Sequence, residues 1–157
     1  MAKIEVIVSP ERFDSAAEMA RLEADDGSSG AVSSFLGLVR GAEGFKTLTL
    51  EHYPGVTEKA LEKIAGFAAG KWSLNAVLIR HRVGPMIPGE EIVLVAASAP
   101  HRRAVLEAVS FMIDTLKTRA PFWKKEATET GENWIEPTAD DHQAAESWLT
   151  ATGQVND

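Results

Sequence analysis

Cysteine is absent from the 157 residues of this chain. Without a thiol, the chain cannot form disulfides, bind a metal through thiolates, or use a cysteine nucleophile or a persulfide of its own. Any sulfur that this protein handles must therefore arrive on another molecule.

Positive charge is scarce as well. Lysine and arginine contribute 16 residues against 23 of aspartate and glutamate, which leaves a formal net charge of -7. Binding along a nucleic-acid backbone needs clustered positive charge, so this balance argues against a general nucleic-acid binder. A local basic cluster in such an acidic chain is correspondingly informative.

Long hydrophobic runs are also missing. The apolar stretch at 92–99 is much shorter than the roughly 20 residues of a membrane-spanning helix, and residues 1–11 show no export signal. We therefore expect a cytoplasmic protein. The length, with 45% hydrophobic and 25% charged residues, is typical of one compact globular domain.

The periodic placement of apolar residues predicts alternating groups of strands and helices. Strands are predicted at 4–8, 31–39 (a buried strand), 47–53, 76–83 and 91–98, with a hairpin of 122–128 and 134–136 around residues 129–132. Helices are predicted from Ser9-Pro10, with Ser15 and Glu18 at capping-box spacing, over 57–72 and 101–117, and from the pair Thr138 and Asp141 through Trp148. Strands follow strands without a helix between them, so an α+β domain is favoured over a doubly wound parallel sheet.

The first candidate site is Pro100-His101-Arg102-Arg103, in the opening turn of the helix predicted at 101–117. The helix macrodipole is positive at this end, so cationic side chains are unfavourable there unless an anion is bound. Free backbone N–H groups and arginine side chains together form a phosphate or carboxylate site. The alternative is that these side chains point to solvent or meet local carboxylates such as Glu107.

The second candidate is a basic group at the junction of that helix with the next strand, which contains Lys117, Arg119, Lys124 and Lys125. In an alternating strand Lys124 shares a face with Phe122, and Lys125 shares the other face with Trp123, so one of the two lysines lies toward packed structure. A partly desolvated lysine beside other cations favours its neutral, nucleophilic form. Solvated charge on an exposed strand is the competing interpretation.

Isolated polar residues carry weaker signals. Arg40 ends a predicted strand before a glycine-bearing loop, which suits either a ligand contact or a surface salt bridge. His52 and His81 lie within strand patterns, and we expect them to be packed or hydrogen-bonded. No spacing of residues predicts a metal or cofactor site.

The length of the helix at 101–117 constrains how these groups cooperate. Sixteen residues separate His101 from Lys117, which places them about 24 Å apart at 1.5 Å per residue. One small substrate cannot touch both in one chain. Either there are two independent sites, or two chains share each site, as a C₂ dimer allows.

Three segments make the sequence recognisable: LTLEHYPGVTEKAL at 48–61, Pro100-His101-Arg102, and LKTRAPFWKKE at 116–126. Together with GLVRG at 37–41, they resemble the large, catalytic subunit of molybdopterin synthase, from about residue 4 to 148. The resemblance implies a single-domain α/β hammerhead-type fold of the α+β class, with a mixed, mainly antiparallel sheet. We expect one domain at 1–149 and a disordered tail at 150–157, because chain ends are often poorly ordered.

The resemblance also implies an activity and its partners. A small ubiquitin-like carrier subunit brings sulfur as a thiocarboxylate on its C-terminal Gly-Gly, and two successive transfers to cyclic pyranopterin monophosphate (precursor Z) form the dithiolene of molybdopterin. This sulfurtransferase step belongs to molybdenum cofactor biosynthesis. The large subunits are expected to form a homodimer that carries a carrier subunit at each end, as a heterotetramer. No cofactor, nucleic acid or membrane is expected.

Matched by position, Lys117 and Lys124 correspond to the essential lysines of the family. Lys117 is expected to act on the carrier terminus or on transfer intermediates, and Lys124 to aid acid–base steps or hold the pterin. Arg40, His101 and Arg102 correspond to anion-binding positions for the substrate phosphate and oxygens. From the helix length, His101 and Arg102 should come from the neighbouring subunit.

Other positions are less specific. Phe35 and Met112 fit pocket walls and plain core equally well. The chain has Pro137-Thr138 and Glu146-Ser147 where relatives can be basic, so no substrate contact is assigned to the C-terminal region.

Two alternative functions are compatible with the same cations. One is a lysine-dependent enzyme that forms a Schiff base with a phosphorylated carbonyl substrate. The other is a non-catalytic module whose cations only hold an anionic ligand or partner.

Overall fold

The computed structural model describes residues 1–135 and 139–152, with side chains as far as Trp148. This part of the chain forms eight strands and four helices. In chain order they are β1 (Lys3–Ser9), α1 (Ser15–Glu23), β2 (Ala31–Leu38), β3 (Phe45–His52), α2 (Val56–Lys71), β4 (Ala76–Arg82), β5 (Gly84–Met86), β6 (Glu91–Ala99), α3 (Arg102–Arg119), β7 (Phe122–Thr128), β8 (Gly131–Ile135) and α4 (Ala139–Thr152).

The first sheet has the strand order β1-β4-β6-β2, with β1 and β4 parallel and the other pairs antiparallel. Residues 93–99 of β6 are all buried, because this inner strand is covered on both faces. On one face, α2 and α3 contribute Leu61, Phe111 and Met112 to the main core. On the other face, α1 covers a smaller cluster around Leu94.

The second sheet has the order β5-β3-β7-β8 and is antiparallel throughout. The alternation predicted for β3 holds, because Leu48 and Leu50 point into a small core with Val83 and Met86. Thr57, at the start of α2, connects this sheet to the helices. Its hydroxyl accepts a hydrogen bond from the Tyr53 N–H and donates one to the Pro121 carbonyl, just before β7 begins.

The predicted α+β class and the mixed, mainly antiparallel pairing are confirmed, with the strands divided between two sheets. The short strand β5 was not predicted, since its Gly-Pro-Met sequence has the composition of a turn. It exists because Met86 pairs with Leu48 and fills the second core. No helix among residues 1–135 and 139–152 is long and apolar enough to cross a membrane.

Two local predictions were wrong. The first helix starts at Ser15, after residues 9–10, because the Asp14 carboxylate accepts a hydrogen bond from the Ala17 N–H and acts as the N-cap. The Ser15 hydroxyl instead donates to Glu91. Strand β2 is half-exposed rather than buried because it lies at a sheet edge, where Leu36 and Leu38 are 37% and 52% exposed.

The last helix is longer than predicted. Helix α4 continues to Thr152, past residue 150, where the predicted tail begins. The predicted cap residue Thr138 lies outside the described residues, as does the end of the predicted hairpin at Glu136. The boundary of the domain at residue 149 stays a prediction.

Candidate functional site

A cavity of about 450 Å³ lies between the last turns of α3, strands β2 and β6, and the inner face of the second sheet. Most of its walls are apolar, and two lysines, a histidine and an aspartate supply the polar groups. The lining residues are Phe35, Leu36, Gly37, Leu38, Leu50, His81, Ile92, Val93, Ile113, Leu116, Lys117, Ala120, Phe122, Lys124, Ile135 and Asp141.

The strand register determines that Lys124 faces this cavity. Lys124 lies opposite Leu50 on β3 and opposite Ile135 on β8, and all three residues line the cavity. Lys125 points to the other face, where its ammonium lies 3.5 Å from Glu132 and 5.6 Å from the centre of the Trp134 ring. The prediction that these two lysines lie on opposite faces of the strand is therefore confirmed, with Lys124 on the face that lines the cavity.

Lys117 reaches the same cavity from the last turn of α3. Its neighbours Leu116 and Ala120 are buried in the main core and hold this end of the helix in place. The structure thus brings together two lysines that are seven positions apart in sequence, one from a helix end and one from a strand. Two ammonium groups beside one apolar cavity favour an anionic ligand.

The pKa of Lys124 is lowered from its ordinary value. Desolvation is the largest cause, and the charge of Lys117 is the second. The carboxylates of Asp141 and Glu126 oppose the shift by favouring the charged form. More than a third of Lys124 remains exposed in the isolated chain, so a ligand that covers the cavity would desolvate it further. In this environment the neutral form of the lysine forms more readily than in free lysine, which suits proton exchange.

His81 forms part of the cavity wall and is 5% exposed. Its ring stacks on Phe122 with the centroids 4.0 Å apart and the planes at 18°. Nδ1 lies 2.8 Å from the Arg82 carbonyl oxygen, and since a carbonyl only accepts, Nδ1 carries the proton. Burial, reinforced by the charges of Lys124 and Lys117, lowers the pKa of His81 to about 4 despite the Arg82 hydrogen bond.

His101 and Arg102 lie at the opposite end of α3 from Lys117 and do not line the cavity. The side chain of His101, the N-cap residue, makes no capping hydrogen bond, and both residues are exposed. Arg103 pairs at 4.0 Å with Glu107, so the local carboxylate contact considered for this segment occurs there. Anion binding by His101 and Arg102 stays a prediction.

The remaining predicted residues divide between cavity, surface and core. Phe35 lines the cavity. Arg40 is exposed, follows the buried Val39, and is not part of the cavity wall. Met112 is fully buried in the main core, so of the two interpretations of its spacing, core packing is confirmed.

Sequence reasoning did not select His81 or Asp141 as site residues. A signal for His81 existed, because it alternates with the buried residues Val77 and Ile79 and therefore points to the same face of β4. Its predicted packing and hydrogen bonding are confirmed. Asp141 reaches the cavity only because α4 packs on α3, and no local pattern indicates that contact.

Comparison with known proteins decides the family. The sequence model of the family described as "MoaE protein" matches residues 8–119. The chain belongs to the MoaE protein family. It is 45% identical over 151 residues to "Molybdopterin synthase catalytic subunit" of Escherichia coli (strain K12), which covers 94% of this chain and all of that relative.

Solved structures of this family have the same fold. "Molybdopterin cofactor biosynthesis protein E from Burkholderia multivorans ATCC 17616" superposes with a TM-score of 0.79 at 46% identity, covering 94% of this chain and 97% of the other. A more distant likeness, which concerns the fold, is "Protein-protein complex of subunit 1 and 2 of Molybdopterin-converting factor from Helicobacter pylori 26695". Its TM-score is 0.70 at 20% identity, covering 84% of this chain and 89% of the other.

Proposed function

We propose that this chain is the catalytic subunit of molybdopterin synthase, a cytoplasmic sulfurtransferase whose domain spans residues 1–149. It transfers sulfur from the C-terminal thiocarboxylate of a small ubiquitin-like carrier subunit to precursor Z and forms the dithiolene of molybdopterin. The observation that carries this proposal is the shared cavity of Lys117 and Lys124 in a member of the MoaE family. The Escherichia coli relative bears the name of this activity.

The cavity suits the end of an extended peptide that carries a negative charge. Its apolar walls exclude water, and the ammonium groups of Lys117 and Lys124 stabilise a thiocarboxylate and the oxyanion that forms when its carbonyl is attacked. The chain has no cysteine, so the transferred sulfur must come from the carrier. The Helicobacter pylori neighbour is a complex of two subunits, which is the kind of assembly this chemistry requires.

The two lysines have different roles in this mechanism. When sulfur leaves the carrier, water must supply the oxygen that completes the carrier's carboxylate, and this step needs a group that exchanges protons. Lys124 fills that role because its pKa is lowered by desolvation and by Lys117. Lys117 holds the carrier terminus and the transfer intermediates, as its position at the end of α3 allows.

The phosphate of precursor Z is bound by Arg40, His101 and Arg102, with His101 and Arg102 supplied by a second copy of the chain. Helix α3 runs without interruption from Arg102 to Arg119, so its N-cap residue His101 and Lys117 are separated by about 24 Å at 1.5 Å per residue. A single chain cannot bring both ends of this helix to one small substrate. A homodimer contains two such shared sites, and a carrier subunit at each one completes a heterotetramer.

Incubation with thiocarboxylated carrier and precursor Z, followed by detection of the dithiolene pterin, tests the activity. We expect product from the wild-type protein. Absence of product, under conditions in which an authentic synthase works, would contradict the proposal.

Variants of adjacent lysines test the site. Replacing Lys124 by alanine should lower turnover by about 10²- to 10⁴-fold, the usual contribution of a positioned acid–base group. Lys125→Ala is the matched control, because Lys125 lies on the same strand but on the opposite face. Equal losses in Lys124→Ala and Lys125→Ala would contradict the role of the inner lysine. Full turnover by Lys117→Ala would contradict the role assigned to Lys117.

Mixed dimers test the shared site. A dimer of one His101→Ala chain and one Lys117→Ala chain contains one intact site and one doubly altered site. Random mixing should then restore roughly a quarter of wild-type turnover, because half of the dimers are mixed and each has one working site. No recovery, after subunit exchange has been verified by mass spectrometry, would place both residues in a same-chain mechanism.

A further inference from the structure

The imidazole of His81 has one nitrogen that the fold does not use. Nδ1 donates to the Arg82 carbonyl, whereas Nε2 has no hydrogen-bond partner among residues 1–135 and 139–152. The residue as a whole is only 5% exposed, and polar atoms in such confined surroundings generally bind a partner or water, so Nε2 is open to a hydrogen bond that the free chain does not supply. The ring borders the cavity of Lys117 and Lys124, which is where a partner can approach.

The tautomer makes this nitrogen an acceptor. Because the proton of the neutral ring is on Nδ1, Nε2 presents a lone pair. The stacking of the ring on Phe122 and the hydrogen bond to Arg82 prevent rotation that would exchange the two nitrogens. His81 therefore offers a fixed, uncharged acceptor beside two lysines, which are donors only.

Neither lysine satisfies this acceptor within the free chain, since no hydrogen bond joins His81 to Lys117 or Lys124 among the described residues. An ammonium ion prefers water or an anion to a neutral ring nitrogen in an apolar wall. A ligand that enters the cavity with an anionic group for the lysines is thus the best source of the missing donor.

We propose that His81 is a ligand-binding residue whose Nε2 accepts a hydrogen bond from an N–H or O–H group of the bound ligand. This contact orients the ligand while its anionic group lies against Lys117 and Lys124. The inference rests on the proposed function for the identity of the ligand. An amide N–H in the carrier tail and a ring N–H of precursor Z have the same donor chemistry, so the experiment must distinguish them.

Three substitutions separate the acceptor from the structural roles of the ring. The amide of His81→Asn can replace Nδ1 as donor to Arg82 but provides nothing at the Nε2 position. His81→Phe keeps a ring to stack on Phe122 but has no acceptor. His81→Gln extends an amide oxygen toward the Nε2 position, and it is the matched variant that retains an acceptor.

Calorimetric titration of each variant with the carrier in its carboxylate form, and separately with precursor Z, measures the contact. His81→Asn and His81→Phe should each bind one of the two probes about 5- to 10-fold more weakly than wild type, and His81→Gln within about threefold. The probe that loses affinity identifies the source of the donor. The inference is overturned if His81→Asn and His81→Phe bind both probes with wild-type affinity, or if His81→Gln loses as much affinity as they do.

The wild-type protein provides a test that does not depend on how the variants fold. In ¹⁵N spectra, Nε2 of His81 should have the chemical shift of an unprotonated ring nitrogen and should move when the ligand is added. A protonated Nε2, or a shift unchanged at saturation, overturns the inference. If wild type makes dithiolene product while these binding tests fail, the inference alone is wrong. If wild type makes no product, the proposed function fails.

Discussion

The buried neutral state of His81 makes the stability of the fold depend on pH. The pKa of His81 is lowered from 6.5 to about 4, mainly because burial disfavours the imidazolium. Each tenfold change in proton affinity corresponds to about 1.4 kcal/mol. His81 should therefore contribute about 3 kcal/mol to the free energy of unfolding at neutral pH.

The direction in which stability changes with pH follows from which state of the chain binds the proton. The unfolded chain takes up a proton on this histidine below about pH 6.5, whereas the folded chain resists protonation until about pH 4. Between these two pH values the unfolded state binds more protons than the folded state. The contribution of His81 is thus fully present above pH 6.5 and is lost as the pH falls to 4.

The substitution His81→Phe isolates this contribution, because phenylalanine can stack on Phe122 but cannot be protonated. Urea unfolding is measured at pH 7, 6, 5 and 4, at one protein concentration, since subunit association also affects stability. The aspartates and glutamates titrate in both proteins. Between pH 7 and pH 4, the free energy of unfolding should fall in both proteins. The fall should be about 3 kcal/mol smaller in His81→Phe than in wild type.

Ile79→Val is the control, because Ile79 is a fully buried residue of the same strand and has no titratable group. This substitution should lower the free energy of unfolding by about 1 kcal/mol at every pH, so its pH curve should run parallel to that of wild type. A parallel curve for His81→Phe would refute the reasoning, because it would mean that His81 has the same proton affinity in the folded and unfolded chain.

Further predictions concern packing and hydrogen bonding elsewhere in the fold. A Cβ at Gly30 would lie 2.3 Å from the Pro100 carbonyl oxygen, so Gly30→Ala should lower stability by about 1–3 kcal/mol. Gly66→Ala, which meets nothing within 4 Å in helix α2, should instead raise it by about 0.5–1 kcal/mol. Thermal unfolding checks both, and a Gly30→Ala melting temperature at or above wild type would contradict the close contact. Thr57→Val removes the hydroxyl that bonds to the Pro121 carbonyl and should cost about 1–3 kcal/mol. Thr57→Ser, which retains the hydroxyl, should lose clearly less in urea unfolding, and equal losses would exclude the hydrogen bond as the cause.

Much of the fold follows from local sequence patterns. The alternation of Leu48 and Leu50 predicts strand β3, and the spacing of Val105, Val109 and Met112 predicts helix α3, because side-chain direction repeats with the period of each element. The same rule predicts that Lys124 and Lys125 face opposite sides of one strand. The missing cysteine excludes sulfur chemistry on a thiol of this chain.

Only the tertiary structure decides which groups meet in the cavity. Lys124 faces inward because β7 pairs with β3 and β8 in a register that places it between Leu50 and Ile135. Strand pairing depends on contacts between residues far apart in the sequence, so local periodicity does not contain the register. His81 is the clearest case. Its pattern predicts a packed residue, but its fixed tautomer and unpartnered Nε2 depend on Phe122, Arg82 and the cavity that the folded chain encloses.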